Sequence, residues 1–230
     1  MNDDTEELMR RAGAFYATST PEGAFDALHA HAAPALIRQV LLLTGSRRRA
    51  FESVEFAFRH AWQHWPEVCL DSDPVRWLRA RAHEYALSPW HRLHRSPPPG
   101  PHLPGHAPDV LRRTLLLLPP QHRRTVVLCD GLGLTPSQAA AEMESSTQAA
   151  VHRLRHARAA LSLCLPAPRD ASAARSALRT LLAGESTATM ATARSLRLAG
   201  ERRAQAMVGL VCSVVVLFVG LVTYLMLGGA

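Results

Sequence analysis

Lysine is missing: across 230 residues, all 26 basic side chains are arginine. No phosphate-binding glycine loop appears either. Cysteine is nearly as scarce. Cys69, Cys129, Cys164 and Cys212 lie far apart in apolar contexts and form no CxxC pair, so they read as buried thiols in a reducing compartment. No HExxH, nucleophile elbow or clustered carboxylate pair occurs, which leaves no case for an enzyme and implies no cofactor. A signal peptide is lacking too, because residues 1–22 are acidic and polar rather than basic and then apolar. They are expected to form a disordered tail.

Histidine, by contrast, is plentiful at 12 residues, which invites a metal reading. His60/His64 and His152/His156 each stand one helical turn apart and could chelate zinc in isolation. Neither pair has a third ligand at a convincing spacing, since Cys69 lies beyond Pro66, so they are read as surface or DNA-facing side chains. The formal charge of +7, borne by arginine alone, fits a polyanionic partner, either nucleic acid or an acidic membrane surface. The length allows one or two small domains.

Helical periodicity runs through residues 23–95. Phe25, Leu28, Ala32, Leu36, Val40 and Leu43 recur at helical spacing, and Gly45 ends the run. Phe51, Val54, Phe58, Ala61, Trp62 and Trp65 predict a second amphipathic helix closed by Pro66. A third begins after Asp73-Pro74 and carries Val75, Trp77, Leu78 and Ala82. Pro89 should end it near Leu87, because a proline inside a helix costs about 3 kcal/mol. These faces suffice for a three-helix core.

Residues 115–161 read as four short helices. Pro119-Pro120 stop one apolar run and open the next, whose Val126, Val127 and Leu128 share a face before Gly131 and Gly133 end it. Thr135-Pro136-Ser137-Gln138 is a capping box for a helix running to about Met143, with Ala139, Ala140 and Met143 inward. After a tight turn, Ser145 or Ser146 caps a longer helix whose Ala150, Leu154, Ala157 and Leu161 face inward. Gln148, His152, Arg153, Arg155, His156 and Arg158 are left outside. Two helices joined by a short turn, the second of them basic, describe a helix-turn-helix.

The residues Leu118-Pro119, Arg123, Val126, Val127, Leu128, Gly133-Leu134-Thr135, Ala140, Met143, Arg153-Leu154 and Ala157-Arg158 resemble, without a gap, region four of bacterial extracytoplasmic-function (ECF) sigma factors of RNA polymerase. AFESVEFAFRHAW at 50–62 and Arg76-Trp77-Leu78-Arg79-Ala80-Arg81-Ala82 resemble region two of the same family. The resemblance implies that Glu52, Glu55, Phe58 and Arg59 contact the polymerase clamp helices, and that Trp77, Arg79 and Arg81 help to capture the melted minus-ten strand. It also implies that the outer face of the recognition helix enters the minus-thirty-five major groove. Unstacked bases need an aromatic platform and their phosphates need charge, which suits Trp77 and its arginines. For Trp62, Trp65 and Trp77 the alternative is packing in the core. Several positions depart from the family pattern: Phe51 replaces a glutamate, Glu84 an asparagine, and Ala149 and Val151 a threonine and a lysine.

SPPPGPHLPGHAP at 96–108 reads as a semi-stiff proline-rich linker. Residues 166–206 are rich in Ala, Ser, Thr and Arg, with short helices expected at 172–183 and 192–206. The stretch is either a flexible juxtamembrane tether or folds back through Leu178, Leu181 and Leu182. Residues 207–227, MVGLVCSVVVLFVGLVTYLML, carry no charge. At ~1.5 Å per residue they span about 31 Å, matching a hydrocarbon core of ~30 Å. Arg194, Arg197, Arg202 and Arg203 on their N-terminal side keep the N-terminal domains cytoplasmic under the positive-inside rule.

The expected architecture is all-α: a region-two-like bundle over 23–95, the linker, a region-four-like helix-turn-helix over 109–165, the tether and one transmembrane helix. The expected function is that of a membrane-tethered, ECF-like sigma factor. Its partners would be the polymerase core, promoter DNA and the cytoplasmic membrane, with an anti-sigma factor or membrane protease as candidate regulators. Two alternatives stay open: a degenerate sigma-like protein that binds a partner without initiating transcription, and a repressor using the second unit alone.

Overall fold

The computed structural model describes residues 20–89, 107–163 and 171–184, and every regular element among them is helical, as the periodicity requires. The expected tail (apart from residues 20–22), the linker up to residue 106, the tether outside one helix and the apolar run 207–227 lie outside the described residues. No helix among the described residues is long and apolar enough to cross a membrane.

Helix α1, Pro21–Thr44, starts where the Thr20 hydroxyl accepts the Gly23 N–H at 3.2 Å with proline in the first turn. It stops at Gly45, whose φ of 66° is left-handed and whose N–H donates to the Leu41 carbonyl at 2.8 Å. Helix α2, Arg47–Gln63, is capped by Ser46. It ends earlier than its apolar pattern suggests: the chain breaks at His64 and restarts as the single turn α3, Trp65–Val68. Pro66 fits the first turn of that new helix, so it opens α3 instead of closing α2. Helix α4, Pro74–Leu87, is capped by Asp73 and ends where Pro89 forces Ser88 into an extended backbone.

Helices α1, α2 and α4 enclose the first core, with Phe25, Leu28, Leu36, Val54, Phe58 and Leu78 fully buried. Phe25 is its aromatic hub: Phe58, Trp62 and Trp65 meet it edge-on with ring centroids at 5.9, 5.1 and 5.5 Å. Core packing is therefore what Trp62 and Trp65 do.

Helix α5 is Ala107–Leu117 and α6 is Pro120–Val126, continued by a wide π-type turn, Val127–Gly131. Helix α7, Pro136–Glu142, opens on the capping box of Thr135 and Gln138, and α8, Thr147–Ser162, opens on Ser146. Helix α9, Ala171–Gly184, lies within the expected tether. It is folded back: Leu178 is buried in the second core, with Leu181 and Leu182 packed beside it. Gly131 lies beneath this helix, where an added Cβ would meet Leu182 at 2.7 Å.

The second core joins α5, α6, α7, α8 and α9, and it also takes in Leu42 and Leu43 from the end of α1. One helix thus belongs to both cores, and the two are packed on each other. At that junction a Cβ on Gly45 would meet Leu116 of α5 at 2.7 Å. We expect Gly45→Ala to destabilise the fold by about 2 kcal/mol, combining the left-handed backbone with overpacking. A melting temperature unchanged from the parent would contradict that.

Candidate nucleic-acid interface

The turn between α7 and α8 is built by short-range chemistry. Met143 and Ser145 return N–H groups to the α7 carbonyls, and Glu144 takes a positive φ of 49° to reverse the chain. Ser146 then accepts the Ala149 N–H at 3.2 Å and starts α8. Ala150, Leu154, Ala157 and Leu161 are buried, as their spacing predicts. Gln148, His152, Arg155 and His156 are exposed on the opposite side and Arg153 is half-buried. No acidic residue occurs on α8.

Structure adds one member to this face. His122 of α6 lies beside His156, with ring centroids at 6.2 Å, and His152 and His156 lie tilted against each other at 4.4 Å. Burial first, then His156, Arg153 and His152, push the His122 pKa down. Among the described residues no group of three or more metal-ligating side chains is placed to hold an ion.

Arg158 has a partner on another element. Its guanidinium makes a two-pronged pair with Asp130 of the π-type turn, Nε to Oδ2 at 2.9 Å and Nη2 to Oδ1 at 2.6 Å, and the Asp130 side chain is only 4% exposed. Arg158, expected on the DNA-facing side, is 42% exposed and also fastens α8 to the end of α6. Beside it, burial and then the Asp130 charge push the Cys129 thiol up to about 11, which keeps it protonated and inert.

On the first unit the expected polymerase-facing residues divide. Glu52 pairs with Arg48 at 2.7 Å and Glu55 with Arg59 at 3.7 Å, both along the surface of α2. Phe58 is fully buried against Phe25 and His29, so it shapes the core and offers no surface to a partner.

The three α4 residues divide as well. Trp77 is half-buried with its ring stacked on His60 at 5.4 Å, and Arg81 lies over it at 5.7 Å while pairing with Glu84 at 3.0 Å. Arg79, two positions from each, points to the far side of the helix because an α-helix turns about 100° per residue. There it forks onto Glu142 at the end of α7, with Nε 3.0 Å from both carboxylate oxygens and Nη2 2.6 Å from Oε2. In this arrangement the guanidinium expected to meet DNA is engaged by Glu142. Arg79 is 11% exposed and Glu142 is not exposed at all.

Phe56 and Tyr85, which periodicity did not single out, join His60 and Trp77 on the outer face of α2 and α4. Tyr85 stacks on Phe56 at 4.3 Å, Phe56 on His60 at 6.0 Å, and His60 on Trp77. The i,i+4 spacing of Phe56 and His60 was the available signal, and both residues fall outside the buried stripe of α2. No protein-family model matches this chain, and a comparison with curated proteins found no match. What the two faces do must therefore be argued from their own chemistry.

Proposed function

We propose that the protein is a membrane-tethered, ECF-like sigma factor that directs RNA polymerase to promoters. One observation carries the reading: α7 and α8 form a capped helix-turn-helix, and α8 presents Gln148, His152, Arg155 and His156 on its outer face with no acidic residue along its length. An arginine such as Arg155 can reach a phosphate or fork onto guanine, and Gln148 can pair with adenine. On the first unit, half-buried stacked rings with Arg81 above Trp77 offer a stacking platform of the kind that single strands use. A two-domain division at the linker, and a transmembrane helix at 207–227, belong to the same proposal. The second rests on an uncharged run preceded by arginines.

A second reading has an observation of its own. Arg79, expected to bind DNA, is held on Glu142, which favours a sigma-like protein that engages a partner without initiating transcription.

The test is run-off transcription with core polymerase and the full-length chain in detergent, on templates selected from random DNA. The expected outcome is specific transcripts that Arg155→Ala and Gln148→Ala each reduce at least about fivefold, for a bidentate base contact is worth about 1–3 kcal/mol. Failure to bind polymerase at low salt would sink the proposal. Polymerase binding without transcripts would favour the second reading.

A further inference from the structure

Between α4, α6 and α7 the protein buries an unusual set of charges. The Arg79–Glu142 fork closes the contact, and Arg124 of α6 donates from Nη2 to the Glu142 backbone carbonyl at 3.2 Å. His83, one turn after Arg79 on the same face of α4, is fully buried beside both guanidiniums, and neither of its ring nitrogens has a hydrogen-bond partner. The groups acting on this site are Arg79 and Glu84 from α4, Arg124 from α6, Glu142 from α7 and Glu144 from the turn after it. Only the Glu142 carboxylate is buried with the two arginines. With neutral histidine the buried set holds two positive charges against one negative. A protonated His83 would add a third positive charge with no hydrogen-bond acceptor and no carboxylate of its own.

We infer that this contact is an acid-released latch: neutral His83 allows the Arg79–Glu142 pair to close α4 on α7, and protonated His83 swings α4 away. The hinge is the neighbouring contact, beside the last turn of α4, where Leu43 and Arg123 line one cavity with Ala86 and Leu87. There Arg123 of α6 donates to the carbonyl of Leu43 on α1 and also to those of Leu116 at 2.7 Å and Leu118 at 2.9 Å. No histidine takes part in that clamp.

The sign follows from linkage. Burial, then Arg124 and Arg79, hold the His83 pKa well below its ordinary value of 6.5 when the latch is shut. The open form, with His83 in water, binds a proton that the shut form rejects. Closure is therefore complete above pH ~6.5 and weakens as pH falls below it, by up to about tenfold per pH unit until the depressed value is reached. In the sigma-like reading, opening frees Arg79 and lets the two units separate to reach two promoter elements. That consequence rests on the proposed function, whereas the latch does not.

The distance between the two units can be read without DNA or polymerase. Spin labels at Gln63→Cys and Ala159→Cys, both exposed, are placed in the full-length chain in detergent with the four native cysteines replaced. Pulsed electron resonance should give one short distance at about pH 7.5 and a growing longer population toward about pH 5.5, with helicity retained. His83→Leu should hold the short distance across that range, and Glu142→Gln should show the longer one already at about pH 7.5. A distance distribution that ignores pH in the parent chain overturns the latch whatever the variants do. So does a His83→Leu protein that opens at the same pH as the parent.

Discussion

Arg79→Ala should lower the free energy of unfolding at neutral pH by about 3–5 kcal/mol, the range for breaking a buried ion pair from one side. The size comes from what remains. Glu142 has no exposed side-chain surface in the shut form, so losing Arg79 either leaves its carboxylate dehydrated beside Arg124 or forfeits the α4–α7 packing as the contact opens. Surface pairs give the contrast. Arg48–Glu52 has side chains 87% and 43% exposed, and breaking it should change stability by less than about 1 kcal/mol. The paired change Arg79→Met with Glu142→Met should recover most of the loss, since apolar residues of similar volume replace a buried pair at little cost. Denaturant unfolding followed by circular dichroism measures all of these. A loss below about 1 kcal/mol for Arg79→Ala would show that the fork contributes no more than a surface pair.

Arg123→Met should come close behind, with an expected loss of about 3–4 kcal/mol, because one guanidinium serves three carbonyls. Two belong to Leu116 and Leu118, at the break between α5 and α6, where helical carbonyls have no partners within the helix. The third is Leu43, near the end of α1. Burial pushes the Arg123 pKa down to about 10, so at neutral pH the side chain is charged and its desolvation is offset by those acceptors. Above about pH 10 the unfolded chain binds more protons than the folded one, so this group's contribution rises with pH there and is flat at neutrality. Arg123→Lys is the informative control. An ammonium keeps the charge but lacks the planar fork, so it should recover less than half of the loss. Full recovery by lysine would mean that charge alone, and not three-way geometry, makes the clamp.

These two side chains mark where reading the chain in one dimension stopped. The resemblance puts Arg79 together with Trp77 and Arg81, although helical geometry alone separates 79 from 77 and 81. Phe58 was grouped with Glu55 and Arg59 on the same ground, and the buried stripe Val54, Phe58, Ala61 already contained it. Arg158 followed the basic pattern of α8, and only the partner 28 residues earlier distinguishes it from Arg155. His122 gave no signal, because its nearness to His156 depends on how α6 crosses α8.

What the sequence by itself determined is local. Helices begin at Thr20, Ser46, Asp73, Thr135 and Ser146 and α1 ends at Gly45, because capping groups and left-handed glycine act within four residues. The buried stripes of α1, α4 and α8 follow from the same short range. Tertiary structure alone decided which polar groups would be sealed between helices. Arg79 meets Glu142 across 63 residues and Arg123 meets Leu43 across 80. A charge becomes structural only where two faces exclude water around it, and periodicity locates each face without naming the face it will meet.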